Sequence, residues 1–198
     1  MQALHSDLIN ALRTLDEQLP EWVDGLLPTS MLNAWALAPT LEDKVDIIQN
    51  AIELAHIIGI PEPKVAILSA VETINPKIQS TLDAAALCKM ADRGQITGGI
   101  LDGPLAFDNA VSIVAAKTQG IKSAVAGHAE ILVVPDLESG NMVAKQLEYL
   151  ANALTAGIVL GTRVPIVLTS RADSAETRTA SCVIAALVAH SYRNRAAG

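Results

Sequence analysis

A chain of 198 residues that is 51% apolar and only 3% aromatic can bury one good core or two small ones, and its Ala, Val, Ile and Leu suit strands covered on both faces by helices. Its net charge of −7 repels phosphate backbones and anionic lipid, and no Lys/Arg cluster makes a local exception, which argues against nucleic acid and membrane surfaces as partners. The longest uncharged run, residues 25–41, has 17 residues with Pro28 and Pro39 inside it, and TASCVIAALVAHSY at 179–192 has 14, both short of the ~20 that a membrane helix needs.

From Ala3 to about Leu27, Leu4, Leu8, Ile9, Leu12, Leu15, Leu19, Val23 and Leu26 recur at helical spacing with Pro20 as an interruption, which predicts one or two amphipathic helices. Asp7 and Asp16 inside that pattern are foreign to a signal or transit peptide. LLPTSMLNAWALAPT then has no clear period and reads as a joint with room for a short strand. Thr40 followed by Asp43 is a capping signal, and Leu41, Val45, Ile48, Ile52, Ala55 and Ile58 form the stripe of a helix that stops at Gly59.

KVAILSA reads as a buried strand, STLDAAALCKMADRG as a helix ending at Gly94, and ITGGILDG as the next short strand, followed by a turn and a weaker helical stretch over 111–118. EILVVP is a further strand, SGNMVAKQLEYLANALT a helix with Ser139 or Asn141 as its cap, and GIVLG and VPIVLTS are two more strands before a final helix over 174–193. Strand and helix alternate, the signature of a mostly parallel sheet with covering helices. Cys88 and Cys182 stand in apolar helical patterns without a CxxC neighbour and read as small buried hydrophobes in a reducing cytoplasm. His5, His56 and His190 lie on helical patterns and read as structural, and His128 as a satisfied surface or edge residue.

In such sheets chemistry gathers where strands hand over to helices. Three handovers carry unusual polar content: DGPLAFDNA, VPDLESGN and TSRADS. In TSRADS, Ser170 with Asp173 is a capping box in its own right. Capping does not call for Arg171, because a cation beside the positive end of a helix is unfavourable unless an anion binds there. In DGPLAFDNA, Asp102 fits a turn, whereas Asp108 serves equally as an Asx cap or as a functional carboxylate. Metal binding is the weaker reading there, with no His or third carboxylate nearby. In VPDLESGN, Gly140 lets a ligand or a neighbouring subunit approach the backbone. The GxSxG, P-loop and GxGxxG patterns are all absent from the sequence.

STLDAAALCKMADRGQITGGILDGPLAFDNA, ILVVPDLESGNMVAKQL and AGIVLGTRVPIVLTSRADS, in that order, resemble the phosphate acetyl/butyryltransferase family, closest to its butyryltransferase-like branch, over roughly residues 38–190. The resemblance implies acyl transfer between coenzyme A and inorganic phosphate, with coenzyme A as substrate and neither metal nor redox cofactor. It also implies a cytoplasmic homodimer with acyl-CoA and phosphate as partners, and an isocitrate/isopropylmalate dehydrogenase-like α/β fold with the site in a cleft between two domains. Carried over by position, the catalytic residues are Ser170, which hydrogen-bonds the sulfur, Arg171, which binds phosphate or the developing oxyanion, and Asp173 as the choice for the base. Asp108, Gly140, Asn141 and Thr169 fall to substrate binding.

The division implied is a helical extension over 1–30, an α/β domain over 31–156, and C-terminal strands and a helix over 157–198 as the remnant of a first domain that is otherwise missing. The upstream phosphate loop of the form SGGTxxST is absent from the sequence. A non-catalytic module that binds coenzyme A or dimerises with a complete enzyme is therefore the alternative.

Overall fold

The computed structural model describes residues 32–34 and 38–196. The expected helices of residues 3–27 and the extension over 1–30 lie outside the described residues. In chain order the elements are β1 (Leu32–Ala34), α1 (Leu41–Ile57), β2 (Lys64–Leu68), α2 (Gln79–Asp92), β3 (Ile100–Leu105), α3 (Phe107–Val111), α4 (Ile113–Thr118), β4 (Ile131–Val133), α5 (Leu137–Ala151), β5 (Ile158–Val159), β6 (Ile166–Val167) and α6 (Ala175–Ala196). The chain is an α/β protein. Strands β1, β4, β2 and β3 form a parallel sheet in that order, and β5 and β6 pair antiparallel as a separate ribbon.

Why β2 and β4 lie in the middle follows from their side chains. Val65 and Ile67 of β2 and Ile131 and Val133 of β4 pack into one core with Ile48, Ile52 and Ala55 of α1 and Ala84 and Leu87 of α2. The alternating residues Ala66, Leu68, Leu132 and Val134 point to the other face, into a core with Leu105, Ala110 and Ala116 and the 125–129 segment. A strand buried on both faces has to be apolar at successive positions, which is how KVAIL and ILVV read.

The helix ends obey local rules. Thr40 caps α1 by the reciprocal capping box with Asp43, and Gly59 and Gly94 take the left-handed conformation just beyond α1 and α2. Asn152 does the same beyond α5. The helix α6 lies against α1 through Val188, Leu54 and Ile58, with Ile158, Leu160 and Tyr192 packed alongside. Gly157 fits beneath the ribbon because it has no side chain: a Cβ there would come within 2.1 Å of the Leu168 carbonyl oxygen. Its own amide donates to Ser181 Oγ on α6 at 3.0 Å. Among the described residues no helix is long and apolar enough to cross a membrane.

Three expectations need correction. The strand expected over ITGGILDG runs on through Gly103–Pro104 to Leu105, which a proline permits because β3 is an edge strand. GIVLG and VPIVLTS contribute only two paired residues each, and Ile166 and Val167 are 48% and 38% exposed rather than buried. A two-stranded ribbon offers each strand a single neighbour, so its outer face stays open. Cys182, expected inside, is exposed; it points away from the α6 face that buries Thr177, Ala180, Ser181 and Val188. Cys88 is half-buried, and burial, with Asp102 and Asp92 adding repulsion, pushes its thiol up to about 12, so it stays protonated and unreactive.

Candidate functional site

Because the strands of the main sheet are parallel, the helices α2, α3 and α5 all begin at its carboxyl edge. The chain leaves β2 for β3 on one side and returns to β4 on the other, so the topological switch point lies between the ends of β2 and β4.

At that point the structure places polar groups that the motif reading passed over. Lys44 of α1 is 6% exposed, and its Nζ lies 2.6 Å from Asp83 Oδ2 on α2. Gln79 Nε2 donates to the other Asp83 oxygen at 2.7 Å, and the hydroxyls of Ser69 and Ser80 share a hydrogen bond of 2.8 Å. Lys44, Ser80 and Asp83 line a cavity of about 10 Å³ with Leu68, Val134 and Pro135. That is room for about one water and none for a nucleotide or an acyl phosphate. Nearby, Asn109 is fully buried and its Nδ2 donates to Glu72, while its Oδ1 has no hydrogen-bond partner among the described residues. Nothing local marks these residues: Lys44 and Asp83 stand 39 positions apart, and each alone reads as an ordinary helix charge.

Asp136, not Ser139 or Asn141, caps α5. Its Oδ1 accepts from the Ser139 amide at 2.8 Å and from the Ser139 hydroxyl at 2.7 Å, and these bonds hold the Asp136 carboxyl below its ordinary range. Gly140 is buried in the first turn and Asn141 is exposed beside it. Asp108 is the second residue of α3 and exposed. It stands at the end of β3, across β2 from the strand that leads into α5, and among the described residues no hydrogen bond or ion pair joins its side chain to the other candidates.

The turn over 169–174 hangs from the ribbon. The Ser170 amide donates to Asp173 Oδ2 at 2.6 Å, the Asp173 amide returns to the Ser170 carbonyl at 3.1 Å, and the Ala172 amide donates to Ser170 Oγ at 3.3 Å. Ser174 then caps α6, its Oγ accepting from the Thr177 amide at 3.1 Å. Capping and turn closure thus occupy Asp173 and Ser174. Thr169 is half-buried, and Ser170 and Arg171 are exposed. Arg171 makes no hydrogen bond or ion pair with any described residue, and it lies three residues before Ser174, the cap of α6. The expected guanidinium at a buried strand's end is instead an exposed one at the foot of an open ribbon.

The turn and α5 do meet. Asp173 Oδ1 lies 3.9 Å from Lys145 Nζ, which also contacts Glu148 Oε2 at 2.6 Å. Lys145 stands five residues beyond Gly140, about 7.5 Å along the helix, so the structure brings the turn against the middle of the helix that the second handover begins. An unpaired guanidinium, a hydroxyl free to donate and a helix start can together hold a small anion.

Comparison with known proteins follows the same residues. The family described as Phosphate acetyl/butaryl transferase matches residues 33–186. A phosphate acetyltransferase of Rhizobium meliloti is 68% identical over 159 residues, covering 80% of this chain and 50% of that protein. A phosphate butyryltransferase of Clostridium acetobutylicum is 54% identical over 151 residues, covering 76% and 50%. Among solved structures, a branched-chain phosphotransacylase from Enterococcus faecalis V583 superposes with a TM-score of 0.71 at 37% identity, covering 78% of this chain and 55% of that one. The chain spans about half the length of the curated relatives it matches.

Proposed function

Since the chain belongs to the Phosphate acetyl/butaryl transferase family, we propose that it takes part in moving a short acyl group between coenzyme A and inorganic phosphate, with the turn over 169–173 as its catalytic element. The observation that carries this reading is the exposed Arg171 guanidinium, unpaired among the described residues, next to a hydroxyl and a helix start. In the reaction a phosphate oxygen adds to the thioester carbonyl, the C–S bond breaks, and the departing thiolate takes up the proton that phosphate gives up. Ser170 hydrogen-bonds the sulfur. Arg171 faces phosphate and the oxyanion, where a preorganised cation helps the tetrahedral intermediate more than the neutral carbonyl before it. Asp173, with one oxygen on the Ser170 amide and the other toward Lys145, serves the reaction by holding the turn more readily than as a free base. Gly140, Asn141 and Thr169 border the coenzyme, and Asp108 belongs to the same edge. Coenzyme A acts as a substrate, the working form is a homodimer, and the site of action is the cytoplasm.

The test is release of free thiol from acetyl-, propionyl- and butyryl-CoA in the presence of phosphate. Turnover is expected from the intact chain, and Arg171→Ala should lower it on the order of a hundredfold. An intact chain that releases no thiol removes the enzymatic reading. The openness of the turn favours a second reading, a non-catalytic module that binds coenzyme A or dimerises. Calorimetric titration separates the two, because heat of binding without turnover identifies the module.

A further inference from the structure

Ser170, Arg171 and Ala172 are exposed, yet the Asp173 side chain among them is only 9% exposed. A carboxylate so far withdrawn from water needs compensation on both oxygens. The Ser170 amide supplies it for Oδ2 at 2.6 Å. On the other side stands Lys145 Nζ, 3.9 Å from Oδ1, while Glu148 approaches the same ammonium at 2.6 Å. Two carboxylates therefore share one cation, and without it Glu148 and Asp173 would repel each other across the gap. The Tyr149 ring, 5.6 Å from Lys145 Nζ, adds a cation–π contact.

We propose that Lys145 is a positioning residue for the Ser170–Arg171 turn: through the Asp173 carboxylate it fixes the turn on α5, so that the helix carrying Gly140 and Asn141 and the turn carrying Ser170 and Arg171 form one anion-handling constellation. The proposal rests on reading that turn as the acyl-transfer site. On its ribbon side the turn has little to hold it, because the ribbon has two residues in each strand and an exposed outer face. Helix α5 is fixed at its entrance, where Asp136 closes the first turn three residues after β4 and Gly140 is buried. Hydrogen bonding to Glu148, with Asp173 adding attraction, holds the Lys145 pKa above its ordinary value, so the brace is charged at neutral pH.

Amide hydrogen exchange of the full chain tests the brace without any need for activity. In Lys145→Met the Ser170 amide should exchange about two- to fivefold faster, Lys145→Arg should restore it, and Asp173→Asn should speed it without further gain when combined with Lys145→Met. Unchanged exchange at Ser170 in Lys145→Met overturns the proposal. So does acceleration spread evenly along α5, which marks a purely structural residue. Where the chain turns over, Lys145→Met should lower kcat/KM for both phosphate and the thioester several-fold, because Ser170 and Arg171 lose their placement together, and Lys145→Arg should restore both. A chain without turnover sinks the acyl-transfer reading alone, and the exchange result still decides the brace.

Discussion

β4 and β6 are spelled in nearly the same letters, ILV within ILVV and IV within PIVL, and they end in opposite surroundings. Ile131, Leu132 and Val133 are 0%, 0% and 1% exposed, whereas Ile166 and Val167 are 48% and 38% exposed. The first run lies between β1 and β2 with a core on each face; the second has β5 as its partner and an open outer face. A short apolar run therefore specifies a wish for burial, and the number of neighbours decides whether it is granted. The rigid body of the protein is the parallel sheet. The residues with the most chemical promise sit on the exposed turn that follows the open ribbon.

That contrast can be broken or sharpened by mutation. The largest expected effect is at the sheet's switch point, where Lys44→Met leaves Asp83 buried without its cation and should lower unfolding free energy in urea by about 3–5 kcal/mol. Adding Asp83→Leu should recover most of that loss, and a double variant no better than the single one would show that the pair is not the cause. Next, Leu132→Ala should cost about 2–5 kcal/mol through the cavity it opens in the core it shares with Leu105, Ala110 and Ala116.

A smaller effect attaches to the entrance of α5. Asp136→Ala removes the cap and should cost about 1 kcal/mol. Because Ser139 lowers the Asp136 pKa in the folded chain, the wild-type advantage is complete above the unfolded carboxylate value of about 3.9 and fades as pH falls through the folded one. Melting of the two proteins should therefore differ at pH 7 and converge as pH falls well below the unfolded value. Smallest of all, Ile166→Ser on the ribbon should stay within about 0.5 kcal/mol. If thermal melts instead put it level with Leu132→Ala, the ribbon's outer face is covered in solution and the contrast collapses.

Much of this was legible beforehand. The Thr40–Asp43 capping box, the glycines that end α1 and α2, and the doubly apolar runs of β2 and β4 are local signals, since each depends on residues within one or two turns. The family motifs were legible for the same reason, as ordered strings of residues. Within the candidate site, the Ser170–Asp173 closure was readable from its spacing of three. Asp136 as the cap of α5 was missed because Ser139 and Asn141 are equally good capping types, and only the direction in which the chain leaves β4 selects among them.

By itself, the sequence determined the long helices and the two central strands, where α1 and α2 stop, and which residues gather at the strand-to-helix handovers, because backbone preference and apolar period are properties of neighbouring residues. It ran the helix of 139–155 past its end at Ala151 and took the short helix Phe107–Val111 for a turn. The tertiary structure alone decided that β5 and β6 pair with each other and not with the sheet, that Cys182 faces outward, that Lys44 finds Asp83, and that Lys145 reaches Asp173. Those outcomes depend on which distant surfaces meet, and no window along the chain contains that information.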